Sequence, residues 1–405
     1  MVYPKSLSYF VNKVSNFSTN VVKLLPYRVD SVSAGQIITV DLPANSLIDL
    51  RTLAFHFTMT TTASGGTNNF ATAPQSIESL IDKLTVEING QSIGSCANLN
   101  YVYNALLPVV GGTDMKNKRA VYANAGDVAN PTANLTNEPF CIQNWLGFIG
   151  SVKPDVIDTA MLGNVRLSIS LANGNCLVKA NTTGPTTASY TLNDLHFTVN
   201  TLSIDDGVFY PLHAQFLSAG NQYEMPFDSY MTSLFSASTM NQSSRFSIST
   251  QSLDMLIGTF PTAYNTLSAV NAVSGRGAQF DTTGTGLDTW KFTINNVAYP
   301  QFTAGKHHSY PLLLNALNAA QDVTNGISPN ITKASWLSSF CIFAQSFNLG
   351  CDADSRTTSG LNTLGSSCQL SFESTGSTTV NYVLMIAKST SILRVGGGRS
   401  IEVVL

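Results

Sequence analysis

An all-β chain made of two similar halves is what this sequence predicts, on three observations. The first is a repeated order of punctuation. A strand-like run closes at Ile88-Asn89-Gly90, and another at Ile294-Asn295-Asn296. A short helical stretch follows with Asn104-Ala105-Leu106, and again with Asn315-Ala316-Leu317. Then come Phe140-Cys141-Ile142 and Phe340-Cys341-Ile342, and after them Leu162-Gly163 and Leu364-Gly365. Each of the last pair precedes a strand, Leu167-Ser168-Ile169 and Leu370-Ser371-Phe372. Four matches in register are the mark of a duplicated unit. The second observation is that apolar residues recur in short alternating runs with no βαβ rhythm, which excludes Rossmann-type and barrel-type α/β proteins. The third is the set of long Gly-, Ser-, Thr- and Asn-rich segments at 60–74, 173–189, 274–286 and 352–365. Loops beyond about 12–15 residues are uncommon in compact domains unless they have a role.

Taken in order, residues 5–25 read as an amphipathic helix. Leu7, Phe10, Val11, Val14, Phe17, Val21 and Leu24 recur at three- and four-residue steps, and Pro26 stops the run. The polar side carries Lys5, Asn12, Lys13, Asn16 and Lys23. Such an arm either docks on its own domain or a neighbour, or lies on a lipid surface. The first β unit opens at 36–42, where Ile38, Val40 and Leu42 alternate with polar positions. At 50–59, Leu53, Phe55, Phe57 and Met59 share one face. The run 84–88 ends in Asn89-Gly90, a strong hairpin signal because both residues tolerate positive φ. Residues 99–107 form one short helix ended by Pro108, and strands resume at 165–171 and 195–204.

Asp205-Asp206-Gly207 breaks the β pattern and reads as a turn at the junction of the halves. The second unit has strands at 245–250, 253–260 and 290–294, then a helix from Pro311 through Leu317, since proline suits a first turn. Late strands follow at 340–347, 369–372, 381–386 and 401–405. The division expected is an N-terminal amphipathic arm at 1–26, a first eight-stranded jelly roll at 27–210 and a second at 211–405, with short helices in the loops.

Composition narrows the function. At 405 residues the chain exceeds what one core fills. Charged residues make up only 11%, against about 25% in an ordinary soluble domain. A surface so low in charge is poorly protected against self-association, which suits either a secreted β-protein or a protein whose outside becomes interface. The net charge of −3, without a basic block, argues against direct contact with nucleic-acid phosphates. No apolar run approaches the ~20 residues of a spanning helix. The N-terminus shows no basic-then-apolar leader, so no export is expected. The six cysteines include no CxxC pair and read as free thiols, with Cys141 and Cys341 as small buried hydrophobes.

A search for catalytic chemistry finds little. His56 alternates with Phe55 and Phe57 and faces away from the aromatic stripe; His196 sits likewise between Leu195 and Phe197. His307 and His308 are adjacent, and on an extended chain would point apart. Asp352 and Asp354 lie in a polar loop without the spacing of a calcium motif. No GxSxG, HExxH or phosphate-binding glycine loop occurs, and Gly396-Gly397-Gly398 precedes a strand rather than a helix. No catalytic, cofactor or metal residue is therefore assigned.

With these features the chain resembles a double jelly-roll major capsid protein. That family supplies the shells of tailless icosahedral double-stranded DNA viruses: PRD1-like phages, large algal viruses, virophages and polinton-like viruses. The resemblance rests on the duplicated β units, the amphipathic arm, one short helix in each repeat and the strand–turn–helix order. The opening Leu24-Leu25-Pro26-Tyr27 through Leu47-Ile48-Asp49-Leu50 is similar to polinton-like and virophage versions, as is the ending Ile392-Leu393-Arg394 to Ile401-Glu402-Val403-Val404. The resemblance implies a non-enzymatic homotrimer in which six jelly rolls make a pseudo-hexagonal capsomer of the virion shell, assembled inside the host cell. It implies contacts with other capsomers and with minor capsid and penton proteins, and no direct nucleic-acid binding. It places the loops as towers outside and the arm beneath, with Leu7, Phe10, Val14 and Phe17 against a neighbour or an internal membrane and Lys13 and Lys23 near lipid head groups. Two alternatives stand beside it. A carbohydrate-binding β-sandwich adhesin would expose aromatic rings from among Trp145, Trp290, Trp336 and the tyrosines. A two-jelly-roll glycosidase or amidase would need two carboxylates facing one cleft.

Overall fold

The computed structural model describes residues 18–28, 30–110, 131–180, 183–204, 206–236, 242–284, 287–317, 331–348, 360–366, 368–373 and 382–404. Among the described residues each half has eight principal strands in two facing sheets. The first half has β1 (Ser18–Leu24), β2 (Ile37–Asp41), β3 (Leu47–Ser64), β4 (Ile81–Ile88), β5 (Gln91–Cys96), β6 (Glu138–Ile142), β7 (Val165–Leu171) and β8 (Thr187–Ser203). They pair antiparallel in the orders β1-β8-β3-β6 and β2-β7-β4-β5. The second half has β9 (Tyr223–Ser236), β10 (Gln242–Phe246), β11 (Leu253–Thr259), β12 (Thr289–Ile294), β13 (Val297–Gly305), β14 (Ile342–Ser346), β15 (Cys368–Glu373) and β16 (Tyr382–Val395). Their orders are β9-β16-β11-β14 and β10-β15-β12-β13, strand for strand the same. First with eighth, eighth with third, third with sixth: this is the jelly-roll order, made twice.

The repeated punctuation marks equivalent corners. Asn89 and Gly90 have φ of 50° and 80°, Asn295 and Asn296 of 48° and 64°, so both β4–β5 and β12–β13 turn through two left-handed residues. The Leu-Gly pairs are turns as well, with Gly163 at φ 90° and Gly365 at φ 69°. In the first half the two corners are hydrogen-bonded together: Asn89 Nδ2 donates to the Leu162 carbonyl at 2.9 Å and Asn89 Oδ1 accepts from the Asn164 amide at 3.0 Å. In the second, Asn295 Nδ2 donates to Ser366 Oγ at 2.7 Å.

Between the sheets of the first half, Phe55 stacks on Phe197 at 4.5 Å and Phe57 lies against Phe140. Burying each such side chain contributes about 1.5–3 kcal/mol. In the second half Trp290, Phe292 and Phe260 surround Phe343. The outer faces differ. β3 and β8 alternate buried with half-exposed residues, whereas every residue of β11 is buried. Leu256, Val383 and Met385 face the inner core of the second half, while Met255, Ile257, Leu384 and Ile386 join an apolar cluster continuous with the first half.

Five local expectations are corrected. Ser18–Leu24 is not the end of a helix but the first strand of the first roll, paired along its length with β8; residues 1–17 lie outside the described residues. Its inner residues Val22 and Leu24 oppose Val199 and Phe197, an alternation that the three-residue spacing of Val21 and Leu24 concealed. The junction is a helix, Asp206–Ser218, rather than a turn. Helix α1 (Leu99–Val110) continues past Pro108, and the helix expected from Pro311 begins at Lys306 and ends at Ala316. That earlier start is supported by His308, whose Nδ1 accepts the Gly305 amide at 3.0 Å in the way a capping side chain does. The strand placed at 245–250 pairs instead over Gln242–Phe246.

Candidate assembly surface

The contact between the halves is built from the fifth strand of the first roll and the first strand of the second. Met225, Phe227 and Tyr230 on β9 are buried. The ring of Phe227 meets Phe148 edge-on at 5.2 Å, from a single helical turn at Phe148–Ser151. Backbone and side chain fix the register: the Lys153 amide donates to the Pro226 carbonyl at 3.0 Å, the Asp228 amide to Ser151 Oγ at 2.8 Å, and Thr232 Oγ1 to the Ala97 carbonyl at 2.8 Å, just beyond β5. A narrow crevice lined by Gly94, Cys96, Leu99, Phe227 and Tyr230 runs along this seam.

A second set of contacts lies among the loops. Val178-Lys179 pairs on one side with Ala71-Thr72 and on the other with Ser268-Ala269, so a small sheet joins both halves. Tyr264 Oη donates to Asn98 Oδ1 at 3.0 Å, and the Asn265 amide donates to Tyr101 Oη at 2.7 Å. At its centre is Arg276, buried with Asp281 at 3.2 Å. Its guanidinium lies 4.6 Å from the centre of the Phe340 ring and donates to the carbonyls of Ser339 and Asn104. Pro108 explains why the Asn104 carbonyl is available. That carbonyl would accept from the amide four residues on in α1, and proline has none. A helix defect in one half thus becomes the anchor for an arginine of the other.

The corresponding outer face of the first roll is open among the described residues. It presents Thr52, His56, Thr58 and Thr60 on β3 beside His196, Thr198 and Asn200 on β8, all half-buried, and on the edge strand β1 the 64% exposed Val21 opposite Asn200. The histidines stack with ring centres 5.0 Å apart, and His56 Nε2 shares a hydrogen bond of 2.9 Å with Thr198 Oγ1. Burial, and then the facing His196, hold the His56 imidazole below its usual pKa. In the second half, β13 presents Val297 and Phe302, 46% and 50% exposed.

The remaining sequence candidates are dispersed. His307 and His308 lie in a helix rather than on extended chain, and His213 bonds Tyr223 Oη at 2.6 Å. Asp205, Asp352 and Asp354 fall outside the described residues, as do the arm candidates Leu7, Phe10, Val14 and Phe17 and the neighbouring Lys13. Lys23 is exposed on β1. Among the described residues no three His, Cys, Asp or Glu side chains are grouped to hold a metal, and no helix is long and apolar enough to cross a membrane. Five cysteines are free thiols; Cys351 lies outside the described residues. Burial pushes the Cys341 thiol up to about 12, as fits a core residue. Cys141 opposes His56 across β3 and β6, on the outer face. All three tryptophans are buried, at 7%, 0% and 5% exposure, so none of them offers the stacking platform an adhesin would use, while Tyr27 among the tyrosines is exposed. The sequence did not single out Arg276, since besides the nearby Asp281 its partners come from two distant segments, at Asn104 and at Ser339-Phe340.

No protein-family model and no curated protein sequence matches the chain. Solved structures do, over its whole length. VP54 of the virus PBCV-1, fitted into a reconstruction of the virophage Sputnik, matches with a TM-score of 0.64 at 14% identity, covering 99% of each chain. The major capsid protein of Faustovirus matches at 0.63 and 9% identity, over 97% of this chain and 93% of that one. A chain of the Sputnik virophage structure matches at 0.60 and 13%, over 100% and 92%. The chain therefore has the double jelly-roll fold, shared from end to end.

Proposed function

We propose that this chain, with the double jelly-roll fold of viral major capsid proteins, is itself the major capsid protein of an icosahedral double-stranded DNA virus. The observation that carries the reading is the full-length match of both rolls to VP54, over 99% of each chain. The chain is a component of the virion shell, and its principal partner is itself. Three copies form a capsomer with six jelly rolls, and capsomers tile the shell with minor capsid and penton proteins. The low charge and the half-exposed Thr, Asn and His rows support a protein whose walls are covered on assembly. We divide the chain as an arm, a first roll and a second roll, with the first roll taking in β1 and the junction lying in the helix Asp206–Ser218. Leu7, Phe10, Val14 and Phe17 are assigned to contact with a neighbour or an internal membrane.

The test is the mass of the purified chain by light scattering, with images of the same peak. Three chains of 43.3 kDa, about 130 kDa, with six-cornered outlines are expected. A monomer at every concentration accessible would overturn the capsomer reading.

A further inference from the structure

We infer that the stacked His56 and His196 make the open face of the first roll a proton-sensitive contact, which a second copy of this chain covers while both rings are neutral and releases once they are protonated. The inference rests on the capsomer reading and adds a control to it. Around the pair the face is made of uncharged groups: Thr52, Thr58 and Thr60 on β3, Thr198 and Asn200 on β8, and the exposed Val21 on β1. Hydroxyls and amides can exchange water for partners across a contact. A charge without a counter-ion loses far more when water leaves it. A second copy suits this face as its occupant, since only 11% of the chain is charged and its walls meet a neutral surface without stranding a charge. That match lasts only as long as the histidines stay neutral.

The geometry shows where the protons go. His196 Nδ1 lies 2.9 Å from the Asp194 carbonyl, which only accepts, so Nδ1 holds a hydrogen and Nε2 takes the added proton. His56 Nε2 meets Thr198 Oγ1 at 2.9 Å, a hydroxyl that can donate to a neutral ring or accept from a protonated one. The ring planes are 12° apart with centres at 5.0 Å, so two added protons put two positive charges face to face. The neighbouring strands offer little to offset them. On β6, Cys141 opposes His56, and burial pushes its thiol up to about 11, so it stays neutral. On β1 the charged neighbour is a cation, Lys23, in register with Thr198. On β8 Asp194 gives the pair its backbone carbonyl, while its carboxylate stands 3.4 Å from Thr58 Oγ1. Among the described residues neither ring has a carboxylate partner. Covering the face takes further water from both rings and disfavours their charged forms. The uncovered chain therefore binds more protons than the covered one, and acid favours separation.

The test follows the mass of the chain by light scattering from about pH 8 to about pH 5.5 at fixed salt, with circular dichroism of each sample. The wild type is expected to be a trimer at the upper pH. The concentration at which half of it dissociates should rise about tenfold or more at the lower pH, with the circular dichroism unchanged. His56→Gln with His196→Gln keeps polar side chains at both positions, and this double variant should lose most of that rise. A wild-type trimer equally tight at both pH values, or a rise that the double variant repeats in full, would overturn the inference while the capsomer reading stood. A wild type monomeric at both would remove both. Should acid or the double substitution unfold the chain, deuterium exchange at the imidazole C2 carbons of the wild type decides, compared between the trimer and the chain diluted to monomer. Titration of the two rings at lower pH in the trimer supports the contact, and identical titration in the two states overturns it.

Discussion

Single residues show where the duplicated fold is tightest. Gly163 has φ of 90°, and a Cβ there would stand 2.2 Å from Asn89 Oδ1, in the bonds that tie two corners together. Gly365, its counterpart, has positive φ but nothing within 4 Å of such a Cβ. Gly365→Ala should therefore cost only the left-handed backbone, about 1–2 kcal/mol. Gly163→Ala should cost clearly more, because Asn89 must also leave its partners at about 0.5–1.5 kcal/mol for each bond; urea unfolding of the two variants side by side is the check. The stacked His56 and His196 make a pH prediction. Folded His56 binds its proton less readily than it does unfolded, near pH 6.5. The unfolded state takes up more protons, so stability should fall as pH drops from about 7.5 through 6, and remain level above that range. Thermal midpoints against pH should show a shallower fall for His56→Gln; an identical slope would remove the pair from the account.

At the scale of elements, the buried Arg276 fastens α1, the 271–281 segment and the chain around Ser339. Removing one partner of a buried pair leaves the other charge uncompensated, so Arg276→Met should destabilise by about 3–5 kcal/mol. The more exposed Arg166–Asp41 pair gives the contrast: solvent screens it, so Arg166→Met should move the midpoint far less. Denaturant midpoints for the two variants separate these expectations. Strands with one buried face were legible in the sequence, because Leu53, Phe55, Phe57 and Met59 alternate with polar residues; so were the Asn-Gly corners, whose backbone demands those residues. β1 was not, because an edge strand with few inward residues leaves a short pattern that a helix also fits. The helix Asp206–Ser218 was hidden by Gly207 and Pro211 near its start. The start at Lys306 was hidden because a histidine ring, not a serine or aspartate, meets the free amide. The seam surfaces were legible only as missing charge, since a contact between distant strands has no sequence period of its own.

For the whole molecule, one apolar cluster spans the first roll and the outer face of a second-roll sheet. The halves should therefore lose structure together. Fluorescence of Trp145 in the first roll, isolated by replacing Trp290 and Trp336 with Phe, should report the same thermal midpoint as circular dichroism of that protein; two separated midpoints would show independent halves. The unlike outer faces of twin sheets carry a further consequence. The apolar outer face is closed inside one chain, where the tether keeps the partner surface at high effective concentration. The Thr- and His-lined face stays half-exposed, so whatever covers it arrives from solution, and that contact opens and closes with concentration while the seam inside the chain stays shut.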